Sequence, residues 1–413
     1  MISKDAPRAR PANDISTAKI LGIAVAAGLV PLNSTMIAVA LPAIADDFEV
    51  TTATATTLIT VYLVVMLVGQ PIAGRITDAV GARRSVLGAL VGLAAFSFAA
   101  AIAPSFGVLV VTRALQAVCA ATVSPGAQSL LRSIAGPDQQ GRVFGVLGSV
   151  LGTGAALGPV IGGLLVQAFG WQAIFLVNVP VAAMALLTAR RSHATASTDE
   201  GHRVTVDPDE RILNRVFVAG FSAQAFSTQA QYALLLLTPI VLNARGWEAG
   251  PIGLVLSALT LGMIVMGPIG GRAGDEHGRR LPATIGLTVA TAAIIALLLG
   301  GASIAPVVMV AALAVFGIGL GMTTPNLMSA ALGSVPAARA GAAAGVLSMS
   351  RYVGSIGTSL IIAGFVTADA NGTRVVLGIS AICMALAVLV SRGLPNVRPR
   401  SASVTSAAAD RSR

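Results

Sequence analysis

Pro71-Ile72-Ala73-Gly74-Arg75-Ile76-Thr77-Asp78-Ala79-Val80-Gly81-Ala82-Arg83 returns further along the chain as Pro268-Ile269-Gly270-Gly271-Arg272-Ala273-Gly274-Asp275-Glu276-His277-Gly278-Arg279-Arg280. Seven of the thirteen positions match without a gap, at an offset of 197 residues. Each copy lies where a long apolar run gives way to a charged turn. An offset of this size is far beyond the 20–50-residue period of a solenoid. It points to two similar halves joined in one chain, each a helical bundle of its own.

Composition identifies the solvent. The chain has 413 residues, of which 55% are hydrophobic and 11% charged. A soluble domain carries about 25% charged residues. Apolar runs of about 20 residues, enough to cross roughly 30 Å of hydrocarbon as helix, recur twelve times. They fall at about 18–41, 54–74, 85–104, 106–130, 142–168 and 172–189, then at about 213–243, 250–271, 282–301, 305–331, 341–366 and 374–392. The predicted fold is therefore an all-α membrane protein of twelve transmembrane helices in two pseudo-symmetric six-helix halves. The expected domains are a polar tail over 1–17, a first half over 18–189, a linker over 190–212, a second half over 213–392, and a disordered Ser-, Ala- and Arg-rich tail over 393–413. The polar tail leads straight into the first span, with no cleavable signal peptide expected.

The net charge of +10 is a matter of topology. With both termini placed inside, the inner segments hold 23 Lys and Arg and the outer loops hold two, Arg245 and Arg374. That split follows the positive-inside rule and predicts a multi-pass protein of the cell membrane with cytoplasmic termini. It also removes the reason to read the basic balance as a nucleic-acid footprint. Cys119 and Cys383 both lie in apolar runs, which excludes a disulfide framework or metal-ligand spacing. His193, His202 and His277 are outside the spans, and no phosphate-cradling G-x-x-x-x-G-K-[ST] loop is present. No cofactor and no enzymatic site are expected.

Two six-span halves with short outer loops are the layout of a secondary transporter. The repeated Gly-x-x-x-Asp-x-x-Gly-x-Arg turn resembles the signature of the major facilitator superfamily, over nearly the whole chain. Span 5 carries Gly154-Ala155-Ala156-Leu157-Gly158-Pro159-Val160-Ile161-Gly162-Gly163, which resembles the drug:proton antiporter pattern G-x-x-x-G-P-x-x-G-G at every fixed position. Arg113-Ala114-Leu115-Gln116 resembles the R-x-x-Q-G motif, with Ala117 in place of the glycine. Leu32 to Pro42 and the Trp171-Gln172-x-x-Phe175-x-x-Asn178-Val179-Pro180 run resemble the fourteen-span branch, although the chain has room for twelve spans.

The resemblance implies export of small amphipathic molecules, a drug or secondary metabolite, by a monomer in the lipid bilayer, with protons as the coupling ion. It also implies gating turns at Gly74, Asp78, Gly81, Arg83 and Arg84 and at Gly271, Asp275, Gly278, Arg279 and Arg280. The two aspartates would stand at the N-termini of helices in the opposite half, near Ala340 and near Gly141. Ala79 and Ala82 depart from arginines common in the first copy. For Gly154, Gly158, Pro159, Gly162 and Gly163, small residues at four-residue spacing permit close helix packing. A rocking contact between the halves is the functional alternative.

Candidate cavity residues follow from the cost of polarity in lipid. An arginine at mid-membrane costs about 2.5–3.5 kcal/mol on insertion scales and so faces a partner or a cavity. Arg113 and Arg351 lie inside spans. Phe221, Gln224, Thr228 and Gln231 share one helical face, and Asn326 follows Thr323-Thr324-Pro325 in span 10. With Asn33 and Gln116 these make the candidate substrate cavity. For each, interhelical hydrogen bonding stays open as the alternative. All seventeen acids fall in expected tails, loops or turns, and Asn33 stands where the family has aspartate. An amide cannot carry a proton, so a neutral or anionic substrate and weak proton coupling are expected. An uptake permease and a non-transporting membrane sensor remain as alternatives.

Overall fold

The computed structural model describes residues 17–135, 139–191, 212–247, 249–301, 304–365 and 370–396. Most of the expected N-terminal tail, of the linker and of the C-terminal tail lies outside them. In chain order the helices are α1 (Thr17–Asp47), α2 (Thr52–Ala55), α3 (Thr57–Val80), α4 (Ala82–Ala101), α5 (Phe106–Ile134), α6 (Gln140–Phe169), α7 (Ala173–Leu176), α8 (Asn178–Arg191), α9 (Arg215–Asn243), α10 (Ala249–His277), α11 (Arg280–Gly300), α12 (Pro306–Gly333), α13 (Ala340–Phe365) and α14 (Ala370–Ser391). Ten of them are long and apolar enough to cross a membrane.

Two of the twelve expected spans are not among those ten. The sixth is split into α7 and α8 around Val177, which leaves only a short apolar helix from Ala173 to Leu186. The eleventh, α13, is a continuous helix, but Ser348, Ser350, Arg351, Ser355 and Thr358 dilute its apolar residues. Four of these, Ser348, Ser350, Ser355 and Thr358, are buried, as befits a helix enclosed by others.

Helices also run past their expected ends. The helix α1 continues to Asp47, α3 to Val80 and α10 to His277. Asp46, Asp47, Asp78, Asp275 and Glu276 therefore belong to last helical turns and not to loops. The chain reverses at Gly81 (φ 95°) and Gly278 (φ 86°), a backbone region open to glycine at no steric cost.

Helices before residue 191 pack chiefly among themselves, as α1 on α6, α4 on α5 and α3 on α5 do. Those after 212 do likewise, as α10 on α12, α11 on α12 and α9 on α14 do. The two sets meet where α3 runs along α13, α10 along α6, α12 along α6 and α5 along α13. Away from these seams the helices show apolar faces outward. Val64, Val68, Ile72 and Ile76 of α3 are exposed at four-residue spacing, and so are Leu261, Val265 and Ile269 of α10. Such stripes suit lipid, where burial against protein is not needed to shelter them.

Candidate functional site

The repeated turn builds two equivalent clamps. Both oxygens of Asp78, in the last turn of α3, accept from the start of α13: Oδ1 from Gly341 N at 2.6 Å and Oδ2 from Ala342 N at 2.8 Å. Asp275, in the last turns of α10, accepts from the start of α6: Oδ1 from Gly141 N at 2.8 Å and Oδ2 from Arg142 N at 2.9 Å. The first N–H groups of a helix have no partner inside it, and the helix dipole is positive there. A carboxylate at that place is worth about 0.3–1 kcal/mol, and up to about 2 when partly buried.

Glycines let these helices come that close. A Cβ built on Gly74 would run into the Gly341 carbonyl oxygen, and one on Gly341 would stand 2.5 Å from the Gly74 oxygen. Gly271 and Gly141 block each other in the same way, and a Cβ on Gly145 would stand 2.5 Å from Gly267 O. Both seams are thus backbone on backbone beside the two carboxylates.

More hydrogen bonds join the two sets at this end. Arg132 Nη2 donates to Val335 O at 2.6 Å. Arg279 Nη2 donates across to Gln140 Oε1 at 3.3 Å, while its Nη1 donates to Ser329 O of its own set at 2.8 Å. The two arginines hold carbonyls at and just beyond the end of α12, where the dipole is negative. Burial draws the Arg279 guanidinium below its ordinary value, and Asp275 opposes this. Arg83 and Arg280 are half-buried at the starts of α4 and α11, and Arg84 is exposed. Sequence reasoning placed Arg132 inside but gave it no role; its distance from the repeat hid its partner.

The antiporter-type motif makes a different contact from the rocking one. A Cβ on Gly154 would stand 2.6 Å from Gly28 O, one on Gly158 would strike Thr35, and one on Gly162 would stand 3.1 Å from Met36 Cα. Gly163 faces Val39 at 3.7 Å. These residues, with Pro159 inside the helix, pack α6 against α1 of the same set. The glycine contact between sets lies earlier on α6, at Gly141 and Gly145.

The candidate cavity residues separate into groups. Arg113 is wholly buried. Its Nη1 donates to Asn33 Oδ1 at 3.0 Å and to Gln116 Oε1 at 2.5 Å, and its Nη2 to Asn33 O at 3.3 Å. Gln116 Nε2 passes on to Ser97 Oγ at 2.6 Å. The guanidinium lies 4.2 Å from the Tyr62 ring centroid, a cation–π distance. Asn33, Arg113 and Gln116 therefore tie α1, α4 and α5 together inside the first set and line neither cavity described below. Asn326 lines neither of them either. It is buried against α10, where its Nδ2 donates to Gly270 O at 2.8 Å.

Arg351 and Gln224 do come together. With Gln128, Met328, Leu347 and Ser348 they line a small space where α5 of the first set faces α9, α12 and α13 of the second. Gln128 Nε2 donates to Ser348 Oγ at 2.7 Å and Arg351 Nη2 to Ser124 Oγ at 3.3 Å, both across the seam. The Oε1 atoms of Gln128 and Gln224 are buried without a hydrogen-bond partner. A buried acceptor left so costs about 1–3 kcal/mol. Phe221 is half-buried on the same face of α9, packed against the buried cluster to which Phe217, Met328 and Leu347 belong. Gln231 points elsewhere, its Nε2 3.5 Å from Met263 Sδ. A second space lies inside the second set among Leu234, Leu237, Val241 and Met309; none of the candidates touches it.

Comparison with known proteins agrees with this architecture. The sequence model of the Major Facilitator Superfamily matches residues 23–359 and 252–412. The chain is 29% identical over 397 residues to an uncharacterized MFS-type transporter, YvkA, of Bacillus subtilis, covering 84% of this chain and 89% of that one. It is 38% identical over 168 residues to the tetracenomycin C resistance and export protein of Streptomyces glaucescens, covering 41% of this chain and 31% of that one. The riboflavin transporter RibZ of Clostridioides difficile is 22% identical over 361 residues, covering 75% and 79%. By the family match over most of its length, together with its membrane helices, the chain belongs to the major facilitator superfamily of transporters.

Proposed function

We propose that this transporter exports small neutral or anionic molecules by alternating access between two six-helix halves, residues 18–189 and 213–392, joined by a cytoplasmic linker. Twelve segments then cross the membrane, with α7 and α8 together making the sixth and α13 the eleventh. Both termini face the cytoplasm, and the chain acts as a monomer. The observation that carries this reading is the pair of carboxylate clamps, Asp78 on α13 and Asp275 on α6. A clamp worth a few kcal/mol at most is strong enough to bias an equilibrium and weak enough to open. Both clamps sit at the arginine-rich end, so the described state is sealed towards the cytoplasm.

Export is favoured by two partial relatives, the tetracenomycin C resistance and export protein and the multidrug efflux pump LfrA of Mycolicibacterium smegmatis, of each of which this chain spans 31%. Uptake of a metabolite is the second reading; with the riboflavin transporter RibZ, matched over most of its length, the likeness extends to a transporter of a metabolite. The preference for neutral or anionic substrates rests on Arg351 beside the space between the halves. The test is counterflow of labelled substrates in liposomes, with inside-out vesicles giving direction. Absence of counterflow for every neutral and anionic compound tried, with cationic compounds moving, would overturn the substrate reading.

A further inference from the structure

Polar side chains from both halves converge on one point of the seam. Gln128 is on α5 of the first; Gln224 on α9 and Ser348 and Arg351 on α13 belong to the second. Gln128 Nε2 lies 2.7 Å from Ser348 Oγ and 3.3 Å from the Ser124 carbonyl oxygen. A carbonyl can only accept, so the amide nitrogen faces it and Oε1 is left without a partner. Gln224 has its bond to Thr228 Oγ1 at 3.3 Å. A hydroxyl can give or take a proton, so whichever way the Gln224 amide lies, one of its polar atoms is left over. Both glutamines are at least nine-tenths buried, out of reach of bulk solvent. Arg351 gives one N–H to Ser124 Oγ at 3.3 Å and carries further donors.

The walls, completed by Met328 and Leu347, enclose about 10 Å³. One buried water needs about 10–15 Å³ and two to four polar partners. An ion fits worse, since the guanidinium repels a cation and the Gln128 carbonyl an anion. We infer that this space binds one water molecule, held jointly by the two halves. The water donates to Gln128 Oε1, meets the leftover atom of Gln224 and accepts from Arg351. Its joint ownership matters for opening, a role that rests on the transport reading. A direct bond between two glutamines would break with nothing in its place as the halves part. A shared water can stay with either half, and the parted groups meet more water as solvent enters.

X-ray radiolytic footprinting of the full chain in nanodiscs tests the site. Radicals born from a bound water oxidise the side chains that touch it, and methionine goes to the sulfoxide. A radical scavenger in the bulk solvent suppresses only labelling from outside. Met328 lines the space and is 3% exposed, whereas Met36 and Met384 are 0% exposed elsewhere. Met328 should be oxidised severalfold faster than those two, with the scavenger present. Gln128→Leu or Gln224→Leu should bring Met328 down to their rate, the two variants being independent in case one misfolds. Oxidation of Met328 no faster than that of Met36 in the unmutated protein would overturn the proposal. So would labelling that the scavenger abolishes, or labelling unchanged in a folded leucine variant. Gly74→Ala tests the sharing. With the seam held open, Met328 labelling should become scavenger-sensitive. Resistant labelling in that variant, with spin labels at positions 79 and 339 moved apart, would mean that one half holds the water alone. Labels that do not move apart would count against the gate and not against the water, which the unmutated protein and the leucine variants decide.

Discussion

Asp78 and Gly341 stand 263 residues apart in sequence and are joined by a hydrogen bond of 2.6 Å, carboxylate to backbone amide. The bond closes one seam of the bundle, and Asp275 with Gly141 closes the other at 2.8 Å. Replacing Asp78 by Asn keeps one acceptor and turns an N–H group towards another N–H group. Charge-assisted hydrogen bonds are worth about 1.5–3 kcal/mol, so Asp78→Asn should loosen the seal without unfolding the helices. Transport in proteoliposomes should fall by about tenfold or more with membrane insertion unchanged. Undiminished transport at normal expression would remove Asp78 from the gate.

The glycines at the same seams make a sharper prediction. A methyl group at Gly74 or Gly271 meets a backbone carbonyl that cannot rotate away. Gly74→Ala and Gly271→Ala should therefore hold the end open, and spin labels at positions 79 and 339 should move apart in Gly74→Ala. Gly88 and Gly152, with nothing within 4 Å of a built Cβ, are the controls, and alanine there should change neither distance nor transport. Unchanged label distances in Gly74→Ala would mean that the seam relaxes around a methyl group.

The two arginines within the membrane helices, Arg113 buried and Arg351 half-buried, should fail in different ways. Arg113 holds two atoms of Asn33 and one of Gln116 and stacks on Tyr62. Arg113→Ala should lower thermal stability markedly, with loss on the order of 3–5 kcal/mol as for other broken buried charge networks. Arg113→Lys should recover little, because an ammonium cannot reproduce the planar fork. Arg351→Ala should leave stability within about 1 kcal/mol and weaken anionic substrates more than neutral ones. Thermal melts in detergent, paired with counterflow of one anionic and one neutral compound, separate the two. Equal losses for both compounds would make Arg351 a structural residue.

Much of the helix pattern was legible because lipid imposes it. Apolar length located the long helices, with α1, α3 and α10 running six residues past their expected ends, and the family resemblance named the partners of both aspartates. What sequence could not give was direction around a helix. Glycines at four-residue spacing say that a backbone comes close, and Gly154 to Gly163 meet α1 where a partner in the other half was equally compatible. Asn326 reads like a cavity residue until its neighbour, the Gly270 carbonyl, is known. Gln128 and Ser348 carried no signal at all, since a lone glutamine or serine in a membrane helix serves packing as readily as binding.

Coupling gives the last prediction. Proton antiport needs a group in the pathway that binds a proton on one side and releases it on the other. Among the described residues the helix-borne carboxylates are Asp46, Asp47, Asp78, Asp275 and Glu276, all in last turns. Asp78 and Asp275 each use both oxygens on backbone amides, so protonating either would break a clamp and open the seal. At the place where a carboxylate would face Arg113, the chain has Asn33, whose Oδ1 lies 3.0 Å from Nη1. The unmutated protein is therefore expected to accumulate a non-titrating substrate only weakly in inside-out vesicles under an imposed pH gradient. Asn33→Asp supplies the missing charge beside Arg113. It should make transport sensitive to the gradient, because the guanidinium is then free to exchange its carboxylate partner for carbonyl oxygens when a proton arrives. A protonophore should abolish the added transport and leave the unmutated rate nearly unchanged. Strong protonophore-sensitive accumulation by the unmutated chain would sink this account and make Asp78 the first carrier to examine.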